Sequence, residues 1–85
     1  PHTLLISAIG QVADVRTCVT MDFKKPGHQL YLVGNTNDEL GGSRLSAVLN
    51  TCGGSVPRVD TALAKKTFAA VHRAIQAGLV ASCHD

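Results

Sequence analysis

Apolar residues follow a strand-like pattern through most of the N-terminal half of the chain. Residues 3–12 form an apolar, partly β-branched run that Gly10 interrupts, as at a bulge or bend. Residues 17–23 alternate between two faces with a period of two, and residues 28–34 contain a short continuous apolar run. Lys-Lys-Pro-Gly separates the last two segments and is typical of a turn. The pattern predicts three strands, followed by a loop over residues 35–38.

A short helix is predicted next. It begins at Gly42 or Ser43 and ends at Asn50, because Leu45, Val48 and Leu49 recur at helical spacing and asparagine is common at helix ends. The glycine- and proline-containing residues 51–60 then predict a connection without helix.

A longer helix is predicted over residues 62–79. Asp60 or Thr61 is suited to cap its N-terminus, and Gly78 lies close to its end. One apolar stripe runs along it at spacings of three and four, formed by Ala64, Phe68, Val71, Ile75 and Leu79. The last residues, 79–85, predict the start of a further strand. Natural domains rarely end inside an element, so we expect a chain that covers only part of a domain.

The composition is that of one small folded domain. The chain has 85 residues, of which 45% are hydrophobic and 16% are charged, so there is room for a single core and no second domain. Only three residues are aromatic, which predicts a mainly aliphatic core. The cysteines, also three, form no Cys-x-x-Cys pair, which argues against a disulfide framework or a structural zinc site. We expect buried or half-buried free thiols.

Charge and hydropathy exclude two classes of partner. The formal net charge is +2, and no basic run is longer than a pair of lysines, which argues against nucleic-acid binding. The apolar runs are too short to span a bilayer, and the N-terminus does not look like a signal peptide. We therefore expect a soluble, cytoplasmic protein.

Gly41, Gly42 and Ser43 form the first candidate site. A glycine-rich loop that opens a helix offers free backbone N–H groups to an anion, and glycine lets the anion approach closely. Ser43 can add a hydroxyl donor and Arg44 a positive charge. The spacing matches neither of the common phosphate-binding motifs, so a plain turn with a helix cap is the competing interpretation.

Cys83, His84 and Asp85 form a second candidate. A carboxylate beside an imidazole can ligate a metal, and Asp85 offers the oxygen that magnesium prefers. Three consecutive residues on a strand cannot all point one way, so they form no zinc site by themselves. Ordinary strand residues are the alternative.

The order of these segments resembles phosphoribosylformylglycinamidine synthase. The resemblance is carried by "LLISAIGQVADVRTCVTMDFKKPGHQLYLVG", "DELGGSRL", "GGSVPRVD" before a long helix, and "GLVASCHD". It covers nearly the whole chain and is most similar to the second C-terminal-type domain of the synthetase portion, a module shared with aminoimidazole ribonucleotide synthetase. It implies an α/β (α+β) fold in which helices pack on a mixed or antiparallel sheet, with residues 1–85 as a single partial domain.

The resemblance also implies an activity in de novo purine biosynthesis. Members of this family use ATP to phosphorylate the amide oxygen of formylglycinamide ribonucleotide, and glutamine-derived ammonia then displaces the phosphate. The implied cofactors are Mg²⁺ and ATP or ADP, and the implied partners are the remaining synthetase domains and a glutaminase domain or subunit. The family's catalytic histidine has no match here, so we expect no activity from this chain alone.

Residue by residue, Gly41, Gly42 and Ser43 match the family's phosphate-facing loop. Asp85 matches an aspartate that coordinates magnesium at an auxiliary nucleotide site in the large forms of the enzyme. Two other interpretations stay open: a stand-alone nucleotide- or anion-binding module, and a purely structural piece. We further expect the isolated chain to form a homodimer through apolar surface left uncovered.

Overall fold

A computed structural model describes residues 3–85. Its regular elements are a 3₁₀ turn at Val15–Thr17, a short helix α1 at Arg44–Val48 and a longer helix α2 at Thr61–Gln76. No helix among the described residues is long and apolar enough to cross a membrane.

Helix α2 begins and ends through local interactions that the sequence predicts. The Asp60 side chain caps the helix, because its carboxylate accepts a hydrogen bond of 3.0 Å from the Leu63 N–H. Gly78, at a φ of +71°, follows the last turn, where glycine adopts the left-handed conformation without penalty. The predicted helix is confirmed, although it ends at Gln76 rather than at Leu79.

Helix α1 has five residues, within the predicted short helix. Ser43 is its N-cap, and its hydroxyl oxygen accepts a hydrogen bond of 3.2 Å from the Ser46 N–H. Asn50, at a φ of +51°, takes the left-handed conformation just after the helix. The predicted connection without helix from residue 51 to 60 is also confirmed.

The predicted α/β fold is wrong for this chain, because residues 3–85 contain no β-strand and therefore no sheet. A strand needs a neighbour that takes up its backbone hydrogen bonds, and the predicted strand segments do not pair with one another. Among residues 3–85, one backbone hydrogen bond of 3.2 Å joins two of these segments, from the Cys83 N–H to the Thr20 carbonyl. The strand-like pattern is present, but the pairing that would turn it into a sheet is missing.

The predicted aliphatic core is also absent from the described residues. None of their apolar side chains is buried, and Gly41 is the one residue that is. Most large apolar side chains of the predicted strands are 59% exposed or more, from Val33 at 59% to Ile9 at 102%, whereas Val19 and Val80 are half-buried. The three free cysteines are exposed as well, which corrects the expectation of buried or half-buried thiols.

The dimensions agree with this open structure. The accessible surface is 8492 Å², whereas a folded monomer of 8.9 kDa exposes about 4,800 Å². The Cα radius of gyration is 16.4 Å, compared with about 12 Å for a compact domain of this length. The chain by itself therefore leaves roughly 3,700 Å² uncovered that a folded domain would bury.

One exposed ion pair holds the 3₁₀ turn. The Asp14 carboxylate accepts hydrogen bonds from the Arg16 guanidinium at 2.8 Å and from the Arg16 backbone N–H at 2.9 Å. These hydrogen bonds lower the pKa of Asp14 and raise the pKa of Arg16. Because both groups are exposed, water screens the pair and its contribution to stability is small.

Candidate functional site

The best-packed part of the molecule is the meeting point of two Gly-Gly-Ser loops. The first, residues 41–43, leads into α1, and the second, residues 53–55, lies in the connection between α1 and α2. A backbone hydrogen bond of 2.8 Å from the Gly41 N–H to the Ser55 carbonyl joins them. A second link, 3.0 Å long, joins residues that flank the two loops and runs from the Arg58 N–H to the Glu39 carboxylate. The two loops therefore form one unit.

Gly41 is glycine because the second loop touches its α-carbon. A Cβ at Gly41 would lie 2.8 Å from the carbonyl carbon of Gly54 and 2.8 Å from the Ser55 carbonyl oxygen, and closer still to the Gly54 carbonyl oxygen. No side chain fits against backbone at such distances. The close approach gives the first glycine a structural role.

Gly42 is glycine for a different reason. Its φ is +70°, and nothing lies within 4 Å of the position that a Cβ would take. A side chain would have space there but would force the backbone into a conformation that costs L-residues free energy. Gly53 at +100° and Gly54 at +87° share this left-handed conformation.

The hydrogen bonds of the first loop decide which of its groups can bind a ligand. The N–H groups of Gly41 and Ser43 already donate to the Ser55 and Leu40 carbonyls, and the Ser43 hydroxyl also donates to Leu40, at 2.6 Å. Ser46 donates its hydroxyl to the same Leu40 carbonyl at 2.8 Å. The Gly42 N–H, by contrast, has no acceptor among residues 3–85.

The second loop contributes donors of the same kind. The N–H groups of Gly53 and Gly54 also have no acceptor among the described residues. Successive backbone N–H groups in a turn can form a concave anion-binding loop. The sequence predicts no binding residue in this segment, although the repeat of Gly-Gly-Ser at residues 41–43 and 53–55 is the signal that marks it.

Two open clefts lie along the paired loops. The larger, of about 440 Å³, includes the carboxylate-bearing Asp38 in its lining. The smaller, of about 340 Å³, contains no charged residue in its lining, which consists of Gly42, Ser43, Ser46, Ala47, Thr51, Cys52 and Gly53. An anion is repelled by the first lining but not by the second. The smaller cleft brings together Gly42 and Ser43 from the predicted site and adds Gly53. Gly41 lines the larger cleft instead, together with Ser55.

The other predicted site residue lies apart from these loops at the end of the chain. The Asp85 carboxylate is fully exposed, and its nearest partner is the His84 ring nitrogen at 3.7 Å. No group of three or more His, Cys, Asp or Glu side chains able to hold a metal occurs among residues 3–85. Because magnesium takes several oxygen ligands in octahedral geometry, Asp85 alone does not make a magnesium site, and its role as a ligand stays a prediction.

No protein-family model matches the chain, and no solved structure matches it.

Proposed function

We propose that this chain is part of a phosphoribosylformylglycinamidine synthase, an ATP-dependent C–N ligase of the cytoplasm, and that it supplies a phosphate-binding loop and a packing surface. The family proposal rests on the resemblance of its motifs along nearly the whole sequence. The observation that carries the phosphate role is the smaller cleft, an uncharged concavity lined by Gly42 and Gly53, whose N–H groups have no acceptor among residues 3–85. Alone, the chain has no catalytic role.

The chemistry of the cleft suits a phosphate group. Phosphate oxygens accept hydrogen bonds from backbone N–H groups, and the bare α-carbons of Gly42 and Gly53 permit close approach. The hydroxyls of Ser43 and Ser46 already donate elsewhere, so the backbone would supply the donors. Arg44, next in sequence to Ser43, adds a positive charge. The chain thus holds and orients the phosphate of ATP or ADP.

The packing surface is formed by residues 3–33. Apart from the half-buried Val19, their large apolar side chains are 59% exposed or more, and apolar patches of this kind mark contacts with other protein surfaces. In the proposed enzyme the remaining synthetase domains cover this surface, and a glutaminase domain or subunit delivers ammonia. Any magnesium at the phosphate would take its ligands from the nucleotide and from those other domains.

A purely structural role for the loops is the second candidate, and the close approach of Gly41 to Gly54 favours it. In that interpretation Gly41 permits loop contact, Gly42 permits the turn, and Ser43 caps α1. The two candidates differ in one measurable property, because only the first predicts binding of phosphate.

Calorimetric titration with Mg-ADP separates them. We expect the chain to bind Mg-ADP and the Gly42→Asp variant to lose binding by about tenfold or more, because a carboxylate in the cleft repels phosphate. Gly27→Asp is the matched control: Gly27 has a φ of +84° and an open Cβ position, so the substitution imposes the same charge and similar backbone strain in a different turn. We expect it to bind as the parent does.

Adenosine, which lacks phosphate, is the control ligand. Equal binding of adenosine and ADP would contradict a phosphate site, as would equal losses in Gly42→Asp and Gly27→Asp. No binding of Mg-ADP to any variant would leave the structural role as the better account of the glycines.

A further inference from the structure

The larger of the two clefts combines apolar side chains with one carboxylate. Leu40, Leu45 and Leu49 line it, and they are 45%, 49% and 61% exposed, so their apolar surface is open to a ligand. The volume of about 440 Å³ lies within the range of small-molecule sites, which are mostly apolar with a few polar groups. The larger cleft therefore has the size and the lining of a site for a partly apolar, uncharged group.

Asp38 supplies the one charge in this lining. No ion pair and no side-chain hydrogen bond among residues 3–85 uses its carboxylate. An ionised carboxylate only accepts hydrogen bonds, and a bond to a charged group is stronger than one between neutral groups. The hydroxyls of a ribose are donors that acidic side chains accept in nucleotide-binding proteins. Asp38 thus favours a sugar in the larger cleft and disfavours a phosphate there.

The larger cleft adjoins the smaller one. Ser46, Thr51, Cys52 and Gly53 line both, so one ligand can occupy the two together. The smaller cleft has an uncharged lining and the N–H groups that suit a phosphate. The two clefts therefore match the two parts of a nucleotide, because one accepts the anionic end and the other accepts the sugar and the base.

We propose that the larger cleft binds the nucleoside part of the nucleotide, with the base against the three leucines and the ribose hydroxyls donating to the Asp38 carboxylate. This inference rests on the proposed function, because the phosphate in the smaller cleft brings the nucleoside to the adjoining one. It adds a specificity that the phosphate loop alone does not give. A sugar phosphate without a base leaves the leucines uncovered and binds more weakly than a nucleotide.

Calorimetric titration of Asp38→Ala with Mg-ADP and with magnesium pyrophosphate tests the proposal, because the substitution acts differently on the two ligands. Removing the negative charge weakens the repulsion of any phosphate, so pyrophosphate is expected to bind as tightly as to the parent or a few-fold more tightly. ADP loses the acceptor for its ribose hydroxyls, and we expect its dissociation constant to rise about tenfold. Asp22→Ala is the matched control, since Asp22 lies outside both clefts, and it should leave both dissociation constants unchanged.

Two altered ligands locate the contacts. Dideoxy-ADP, which lacks both ribose hydroxyls, is expected to bind the parent about tenfold more weakly than ADP does, and Asp38→Ala should weaken it no further. Ribose phosphate, which has the hydroxyls but no base, is expected to bind about tenfold more weakly than AMP, because it covers no leucine surface.

The outcomes separate this inference from the phosphate role. If Asp38→Ala binds ADP as tightly as the parent does, or if ribose phosphate binds as tightly as AMP, the nucleoside site is wrong while the phosphate loop stands. If pyrophosphate fails to bind but adenosine binds and Asp38→Ala weakens it, the phosphate role is wrong and the nucleoside site holds. A chain that binds neither ADP nor adenosine would overturn both.

Discussion

At the scale of the residue, the most constrained position is Gly41. It is the one buried residue among residues 3–85, and its surroundings are backbone atoms of the second loop. The sequence raises the question of why two glycines stand at positions 41 and 42, and the structure gives a different reason for each position. Close approach explains the first, and a left-handed backbone explains the second.

We expect Gly41→Ala to separate the two loops. The added methyl group overlaps the Gly54 and Ser55 backbones, which costs about 1 to 3 kcal/mol unless the loops move apart. Amide hydrogen exchange at position 41 measures this, because the N–H there is bonded to the Ser55 carbonyl. We expect exchange to accelerate by about tenfold or more.

Gly10→Ala is the control for that measurement. Nothing lies within 4 Å of the position that a Cβ would take at Gly10, and Gly10 has no left-handed φ. We therefore expect the amide exchange rate at Gly41 to be the same in Gly10→Ala as in the parent. Unchanged exchange in Gly41→Ala as well would mean that the second loop does not hold the first.

At the scale of the element, the caps decide where helices form. We expect Asp60→Ala to remove about 1 kcal/mol from α2, because the Leu63 N–H loses its acceptor and the positive end of the helix loses a negative charge. The measurement is the circular dichroism of the helix during a thermal or urea titration.

Asp22→Ala serves as its control. Asp22 lies outside the helices, where its carboxylate is 3.6 Å from the Lys24 amine. The Asp22→Ala substitution removes the same charge as Asp60→Ala without removing a helix cap, so we expect the helicity to stay at the parent value. An equal loss of helicity in both variants would contradict the capping role of Asp60.

The elements also explain which sequence predictions succeeded. Both helices were predictable because their determinants are local: a capping side chain, an apolar spacing and a terminating residue within a few positions. The absence of strands from residues 3–34 was not predictable, because pairing depends on segments far apart in sequence and the pattern specifies only the two faces that each strand would have. For the same reason, Gly42 and Ser43 were found in the sequence, but the cleft that they share with Gly53 was not.

At the scale of the whole molecule, the uncovered surface sets the expectation for activity. A chain that exposes 8492 Å² needs other protein surface around it to become compact. We expect a chimera that carries this chain in place of the matching segment of a phosphoribosylformylglycinamidine synthase to restore growth without purines in a strain lacking that enzyme. In the chimera the other synthetase domains can cover the apolar segments.

Two further chimeras make this measurement specific. One carries the same residues in shuffled order and should not restore growth. The other carries Gly42→Asp and should grow more slowly if the phosphate loop works in the assembled enzyme. A soluble, assembled parent chimera that fails to support growth would contradict the proposed family.

The hydrogen bond between the Gly41 N–H and the Ser55 carbonyl has a consequence for how this sequence can diverge. Donor and acceptor both belong to the backbone, so most side-chain replacements around them leave the bond intact. Natural variation should therefore be narrowest at Gly41, where any side chain collides with the Gly54 backbone, narrow at Gly42, Gly53 and Gly54, whose positive φ favours glycine, and wide at the residues around them. Related chains could look unlike one another across this region and still keep the same loop pairing.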